Sequence, residues 1–333
     1  MYENKFSGDP NAFFEYLNPD INPDIKEVFL SLYRAPQDAE VSFGKDGKFS
    51  YYEGSNGVVC EEKPILENLA KSGESEIIFR SVPPLVTTDE LKKQTEKAGE
   101  FTTNYVSSGS ARKHNISLAV SRLSGTTVLP GETFSFNETV GKRTKTNGFA
   151  EAKVILNGEY TSGVGGGVCQ VSTTLYNAWL MTGQDAVYSR PHSLKPEYVT
   201  PGLDAMVSDE SDLLLLNNGN SPMYIAANAN GTSLTVTVYS VPIACDVRLG
   251  SELVRTIPCD EYELIDGEND EIIKQPKNGA VYRSYREFVE GNEVICKEYL
   301  RTSTYLAQKG KKYRRNQSEI SIEPTKAAHN NIR

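Results

Sequence analysis

Residues 163–176 read Gly163-Val-Gly-Gly-Gly-Val-Cys169-Gln170-Val-Ser-Thr-Thr-Leu-Tyr176, a glycine-rich approach that delivers one cysteine to the start of a predicted helix. Glycines open backbone conformations closed to other residues and let a neighbouring chain come close. The helix N-terminus adds about half a positive charge, which favours thiolate over thiol. The apolar spacing Val171, Leu175, Ala178, Trp179 predicts a helix packed on a sheet, with Cys169 at its mouth. Downstream lie His192, in Arg190-Pro191-His192-Ser193, and Asp204, in Gly202-Leu203-Asp204-Ala205. Cysteine, histidine and aspartate in that order suit a nucleophile, its base and the group that orients the base. A structural cysteine buried in a tight loop accounts for the same residues. His192 can equally be a histidine hydrogen-bonded to backbone, and Asp204 a turn former after Pro201-Gly202.

Other polar residues around this stretch are candidates for substrate or oxyanion contacts. Gln170 adjoins the cysteine and can donate to an oxyanion, as can the N–H groups at the helix start. Gly166 and Gly167 shape a snug loop, and Ser172 and Thr173 stand in the first turns of the helix. Glu132 lies beside aromatic positions in a loop that can line a groove, and His114 is the other histidine outside the C-terminal tail. Arg112 opens a helix, where positive charge is unfavourable, so a polar partner is expected for it. The glycine run lacks the Lys-Ser/Thr of a phosphate loop, which argues against nucleotide.

Composition bounds these readings. The chain has 333 residues, enough for two or three domains, and 35 basic against 44 acidic residues give a net charge of −9. That balance excludes nucleic acid as the main partner. No apolar run reaches the length of a membrane span, and the start Met1-Tyr-Glu-Asn-Lys shows no signal-peptide pattern. Five cysteines form neither a disulfide scaffold nor a zinc pattern, so no metal or cofactor is expected. Cys245, Cys259 and Cys296 leave room for one bridge, with Cys259–Cys296 the pair that closes the longer stretch within the module itself; three reduced thiols are the competing expectation.

Along the chain, residues 1–100 read as a small α/β module. Helices are expected from Asn11 and from Asp24, and a hairpin over Val41–Tyr51 with Asp46-Gly47 at its turn. A polar helix around Pro64–Lys71, a strand over Glu76–Val82 and a charged helix over Thr87–Lys97 follow. Residues 101–243 read as an α+β domain: a strand at Phe101–Tyr105, an amphipathic helix over Ser110–Leu123, the cysteine helix, then an antiparallel sheet. Its strands are expected at Asp185–Tyr188, Ala205–Ser208, Leu213–Leu216, Pro222–Ala227 and Leu234–Ser240. Residues 244–308 read as an extended all-β unit with strands at Leu253–Ile257, Glu271–Gln275, Val281–Val289 and Glu293–Arg301. The basic stretch from Lys309 reads as a disordered tail over 309–333.

Three segments, Leu129-Pro-Gly-Glu-Thr-Phe-Ser-Phe-Asn-Glu-Thr-Val-Gly141, Gly163 through Asn177, and Pro191-His-Ser193, closely resemble the VanW-like family, named for an accessory protein of vancomycin-resistance clusters. The first hundred residues resemble, in layout, the α/β module that precedes this domain and is thought to bind peptidoglycan. The last unit, with Gly279-Ala-Val-Tyr-Arg-Ser-Tyr285 and Gly291-Asn-Glu-Val-Ile-Cys-Lys-Glu298, is similar to G5-type domains, extended β modules linked to cell-wall binding. The resemblance implies a Gram-positive envelope protein, secreted or cell-surface, that touches the membrane only through an N-terminal anchor outside this sequence. Its partner would be peptidoglycan or another wall glycan or peptide. Two functions fit. One is a cysteine-dependent peptidoglycan hydrolase or transpeptidase using Cys169, His192 and Asp204. The other is a non-catalytic wall-binding or envelope-assembly adaptor. The order of the three residues is similar to papain-like and transglutaminase-like thiol enzymes, but those families' signature after the histidine is missing here, which leaves that analogy at the level of fold.

Overall fold

The structure is a computed structural model describing residues 31–315, except 62–63, 65–66, 69–70, 73–75, 77–78, 157–158 and 268–270. The helices read from Asn11 and Asp24 begin, and much of the one around Pro64–Lys71 falls, outside the described residues.

A four-stranded antiparallel sheet forms the centre, in the order Glu96–Asn104, Ser233–Ser240, Met223–Ala229, Thr126–Val128. Side chains alternate across a strand, so Leu234, Val236 and Val238 enter the core while Tyr239 faces the other side. Two helices cover the core face: Ser110–Leu123, which buries Ile116, Ala119, Val120 and Leu123, and the cysteine helix Val168–Leu180. The opposite face is covered by the expected hairpin, Glu40–Phe43 with Phe49–Tyr52. Phe43 and Phe49 meet Tyr224 and Tyr239 edge-on, with ring centroids 5.1–6.4 Å apart, the geometry aromatic quadrupoles favour. The strand expected from Phe101 begins at Glu96, directly after a helix Thr88–Gln94 held by a Thr87–Glu90 capping box.

The cysteine helix is buried nearly all round, its polar side chains Gln170, Ser172, Thr173, Thr174 and Asn177 all being hydrogen-bonded. Every residue from Val168 to Leu180 is buried except Cys169. Trp179 is fully enclosed and donates its indole N–H to the Asp185 carbonyl at 3.3 Å. A small sheet of Ala186–Tyr188, Leu214–Leu216 and Thr133–Ser135 lies beside it. Ala205–Ser208 is not a strand. Its backbone bonds to the Thr173 hydroxyl, the Arg190 carbonyl and Ser211 instead of to a ladder, so an apolar alternation there folded as an irregular segment.

The last unit is a long antiparallel meander of Asp246–Ile257, Gly279–Glu290 and Glu293–Tyr305. Its first strand starts seven residues before the expected Leu253. A second sheet places Gly310–Arg315 parallel to Tyr262–Gly267 and beside Ile272–Lys274. The expectation of a disordered tail from 309 is therefore corrected over 310–315. The lysines there pair with Glu261 and Glu263 at 2.6 and 3.2 Å, which neutralises a run that reads as self-repelling. None of the five cysteines is disulfide-bonded, so the Cys259–Cys296 bridge does not form; the Cys259 thiol instead points to the Gln308 carbonyl at 3.5 Å. The meander docks on the central domain through Arg286, only 3 % exposed. Its guanidinium donates to the Gln184 carbonyl at 2.9 Å, Asp185 at 3.1 Å and Glu298 at 2.6 Å.

Candidate active site

Two glycines let two arginines press against the base of the cysteine helix, and a third lets the Lys153 backbone come close. Gly165 and Gly167 have φ of 86° and 111°, left-handed conformations that side chains disfavour. A Cβ on Gly165 would lie 2.7 Å from the Arg143 Cβ, and one on Gly167 2.9 Å from the Arg112 Cγ. A Cβ on Gly166 would lie 2.6 Å from the Lys153 carbonyl oxygen, and Gly166 O accepts from Asn115. Gly167 is the helix N-cap, so Cys169 occupies the first turn, where backbone N–H groups have no intrahelical acceptor.

The Cys169 thiol donates to the Val207 carbonyl at 3.3 Å and hydrogen-bonds the His192 ring. His192 is buried, and its Nδ1 lies 2.6 Å from Asp204 Oδ2. The carboxylate is the acceptor in that pair, so Nδ1 carries the proton and Nε2 is left on the other side of the ring. The same Oδ2 accepts the His192 backbone N–H at 2.7 Å, which fixes both the ring and the chain that carries it. Cys169, His192 and Asp204 thus form one continuous hydrogen-bonded chain.

Asp204 is completely buried and draws its remaining partners from the last unit. Tyr305 donates its hydroxyl to Oδ1 at 2.5 Å and accepts the Gly202 N–H at 2.6 Å. Arg301 donates to the Asp204 carbonyl and sits 3.6 Å from Oδ1. Its other arm holds Ser189 at 2.9 Å, and the Leu306 N–H reaches the Ser193 carbonyl at 2.8 Å. The strand Glu293–Tyr305 and the residue after it therefore grip the 189–205 segment along most of its length. From the other side, Ser172 donates to the Ala205 carbonyl at 2.6 Å, Thr173 accepts the Ala205 N–H at 2.9 Å, and Asn177 donates to the Leu203 carbonyl at 2.7 Å.

These contacts set the protonation states. Burial would raise the Cys169 thiol, but the hydrogen bond and charge of His192, the Val207 contact and the nearby Arg143 charge bring it below its ordinary range. Burial would lower His192, yet the hydrogen bonds and charges of Asp204 and Cys169 outweigh it and push the ring up to about 9. Asp204 is held down, against burial, by His192 and Tyr305. Burial and the Asp204 charge raise the Tyr305 phenol, which keeps it a donor. Together these shifts favour a thiolate–imidazolium pair on a carboxylate.

The remaining candidates divide. Ser172 and Thr173 belong to the assembly as clamps on the Asp204 segment. Gln170 is buried and its amide is committed: its nitrogen donates to Thr103 Oγ1 at 2.9 Å and the Asn104 carbonyl at 3.0 Å, and its oxygen accepts from Arg112 at 2.7 Å. It leaves no side-chain donor for an oxyanion. Glu132 is exposed and closes its own turn on the Leu129 N–H at 2.8 Å, and His114 is exposed with Nε2 at the Gly148 carbonyl, 2.8 Å away; neither joins the three residues. The polar partners expected for Arg112 are Ser108 and Gln170. Sequence reasoning missed Arg143, Tyr198, Arg301 and Tyr305. Arg143 is placed by Asn137, whose Oδ1 accepts from it at 2.6 Å, and its Nη2 is buried without a hydrogen bond, 3.7 Å from Asp209. Tyr198 donates its hydroxyl to the Cys169 carbonyl at 3.3 Å.

Comparison with known proteins finds both a family model and relatives similar to this chain. The family described as VanW like protein matches residues 111–239. The uncharacterized protein YoaR of Bacillus subtilis is 43% identical over 147 residues, which cover 44% of this chain and 48% of YoaR. The vancomycin B-type resistance protein VanW of Enterococcus faecalis is 34% identical over 101 residues, covering 28% of this chain and 36% of that protein. The matches thus span less than half the length of either curated relative. Two solved structures share limited likeness: the G5 domain of IgA1 protease, at 15% identity over 22% of this chain and 94% of that one with a TM-score of 0.15, and HP0197-G5, at 12% identity over 20% and 96% with a TM-score of 0.13. Residues 111–239, which carry Cys169, His192 and Asp204, are thus similar to the VanW-like family.

Proposed function

We propose that the protein is a cell-envelope enzyme that uses Cys169 as a nucleophile on an amide or acyl bond of a wall peptide. The observation that carries this reading is the chain from the Cys169 thiol through His192 to a fully buried Asp204. A structural cysteine needs no imidazole held protonated beside it. The cell-wall assignment is supported by the similarity to the VanW-like family and by the relative named for vancomycin resistance. Residues 1–100 and the G5-like 244–308 would hold the protein on peptidoglycan, and the setting would be extracellular or cell-surface in a Gram-positive organism.

In this mechanism the thiolate attacks the carbonyl carbon, and N–H groups of the helix's first turn receive the developing oxyanion. The imidazolium gives its Nε2 proton to the leaving nitrogen, the C–N bond breaks, and a thioester remains on Cys169. His192 then takes a proton from water or from an acceptor amine, which attacks the thioester and releases the thiolate. Water gives hydrolysis; an amine gives transpeptidation. Asp204 keeps Nδ1–H donated to itself throughout.

The test is intact-mass measurement after brief incubation with soluble peptidoglycan fragments and an acid quench. The expected result is an added mass equal to the acyl portion of a fragment, mapped to Cys169. Unmodified Cys169 together with unchanged fragments would leave the adaptor reading in its place.

A further inference from the structure

Arg112 is a charge to which the fold gives no acid. It stands in the first turn of Ser110–Leu123, where the helix dipole opposes a cation, and that turn holds no acidic residue. Its side-chain hydrogen bonds are to neutral groups, the Ser108 hydroxyl and the Gln170 carbonyl oxygen, both at 2.7 Å. Among the described residues no carboxylate pairs with it. Burial lowers its pKa, offset in part by the charges of Tyr198 and Cys169, so the charge is partly stripped of water and has no carboxylate to pair with, an arrangement that works against folding. Yet it is held deliberately: Gln170 is itself pinned by Thr103 and Asn104, and the guanidinium lies over the Tyr198 ring, 6.0 Å from its centre.

The same arginine walls an open groove of about 720 Å³, lined also by Tyr105, Ser107, Lys153, Glu197 and Tyr198. Tyr198, at the groove wall, donates its hydroxyl to the backbone carbonyl of Cys169 at 3.3 Å, which puts the groove next to the turn that carries the thiol. Glu197 is exposed on the groove and does not pair with Arg112. A guanidinium has five N–H donors, and Ser108 and Gln170 take two. The rest can form the forked pair with a carboxylate that arginine geometry favours.

We propose that this groove is a subsite for a carboxylate-bearing peptide, whose carboxylate Arg112 grips so that the adjoining chain runs past Tyr198 to Cys169. The substrate class would be acidic wall peptides, as opposed to fully amidated ones. The presentation of a bond to Cys169 rests on the thiol-enzyme reading; the binding does not.

The experiment is calorimetric titration of the full chain carrying Cys169→Ser, so that nothing is consumed, with an N-acetylmuramyl tripeptide bearing free carboxylates and with its fully amidated form. The free-carboxylate form is expected to bind at least about tenfold tighter, as a charge-assisted pair requires. Arg112→Gln should abolish that preference and Arg112→Lys should retain part of it. Equal affinity for the two peptides, a comparison that needs no arginine variant, would overturn the proposal, as would a preference that survives Arg112→Gln. If Cys169 forms no acyl adduct but the Arg112-dependent preference holds, the subsite stands and the enzyme reading falls. If the adduct forms without the preference, this inference alone falls.

Discussion

Cys169→Ser is expected to lower turnover of wall-peptide fragments by at least about 10³-fold, the scale on which loss of a nucleophile acts when its partners remain. The change keeps shape and hydrogen-bonding capacity, and Cys169 is the one partly exposed residue of an otherwise buried helix. Stability should therefore change little, and a thermal melt within a few degrees of the unsubstituted protein separates lost chemistry from lost fold. A serine hydroxyl stays protonated where the thiol ionises beside His192, so the hydrogen bond survives and the nucleophile does not. Turnover within a few fold of the unsubstituted protein would mean that the thiol does no chemistry.

Asp204→Asn is expected to cost more than rate. The carboxylate is wholly buried and balances both His192 and Arg301. Removing one partner of such a buried charged set costs about 3–5 kcal/mol, because the remaining charges are left without compensation. Turnover should fall about 10³–10⁴-fold, since an amide can donate to Nδ1 and so stabilise the wrong tautomer. Tyr305→Phe is the graded counterpart. It removes one neutral donor at 2.5 Å, worth about 1.5–3 kcal/mol for a hydrogen bond to a charged group, and should lower turnover by tens of fold. Urea melts and steady-state rates on both variants check this. Full activity in Tyr305→Phe would reduce the last unit's grip on Asp204 to a packing contact.

The readable parts of the sequence were those governed by local chemistry. The glycines ahead of Cys169, the periodic Ser110–Leu123 and the turn at Asp46-Gly47 each specify structure within a few residues, and each formed as expected. What failed depended on partners distant in the chain. Gln170 sits next to the cysteine, but Arg112, Thr103 and Asn104 claim its amide. Ala205–Ser208 has a strand's alternation, but Thr173 and the Asp204 environment take the bonds a ladder would need. Gly310–Arg315 reads as a charged tail until Glu261 and Glu263 are brought beside it. Tyr305 and Arg301, about a hundred residues from Asp204, carry no local signal at all; only the fold brings them to the carboxylate.

The central claim is that His192 and Asp204 hold Cys169 as a thiolate. The direct measurement is the ultraviolet absorbance of thiolate followed from acid to alkaline pH, as the difference between the unsubstituted chain and Cys169→Ser, which isolates this one thiol from the other four. Because the shift is downward, the thiolate signal should fade on acidification with a midpoint below the ordinary thiol value of about 8.5. A midpoint at or above about 8.5 would mean an inert thiol and contradict the account.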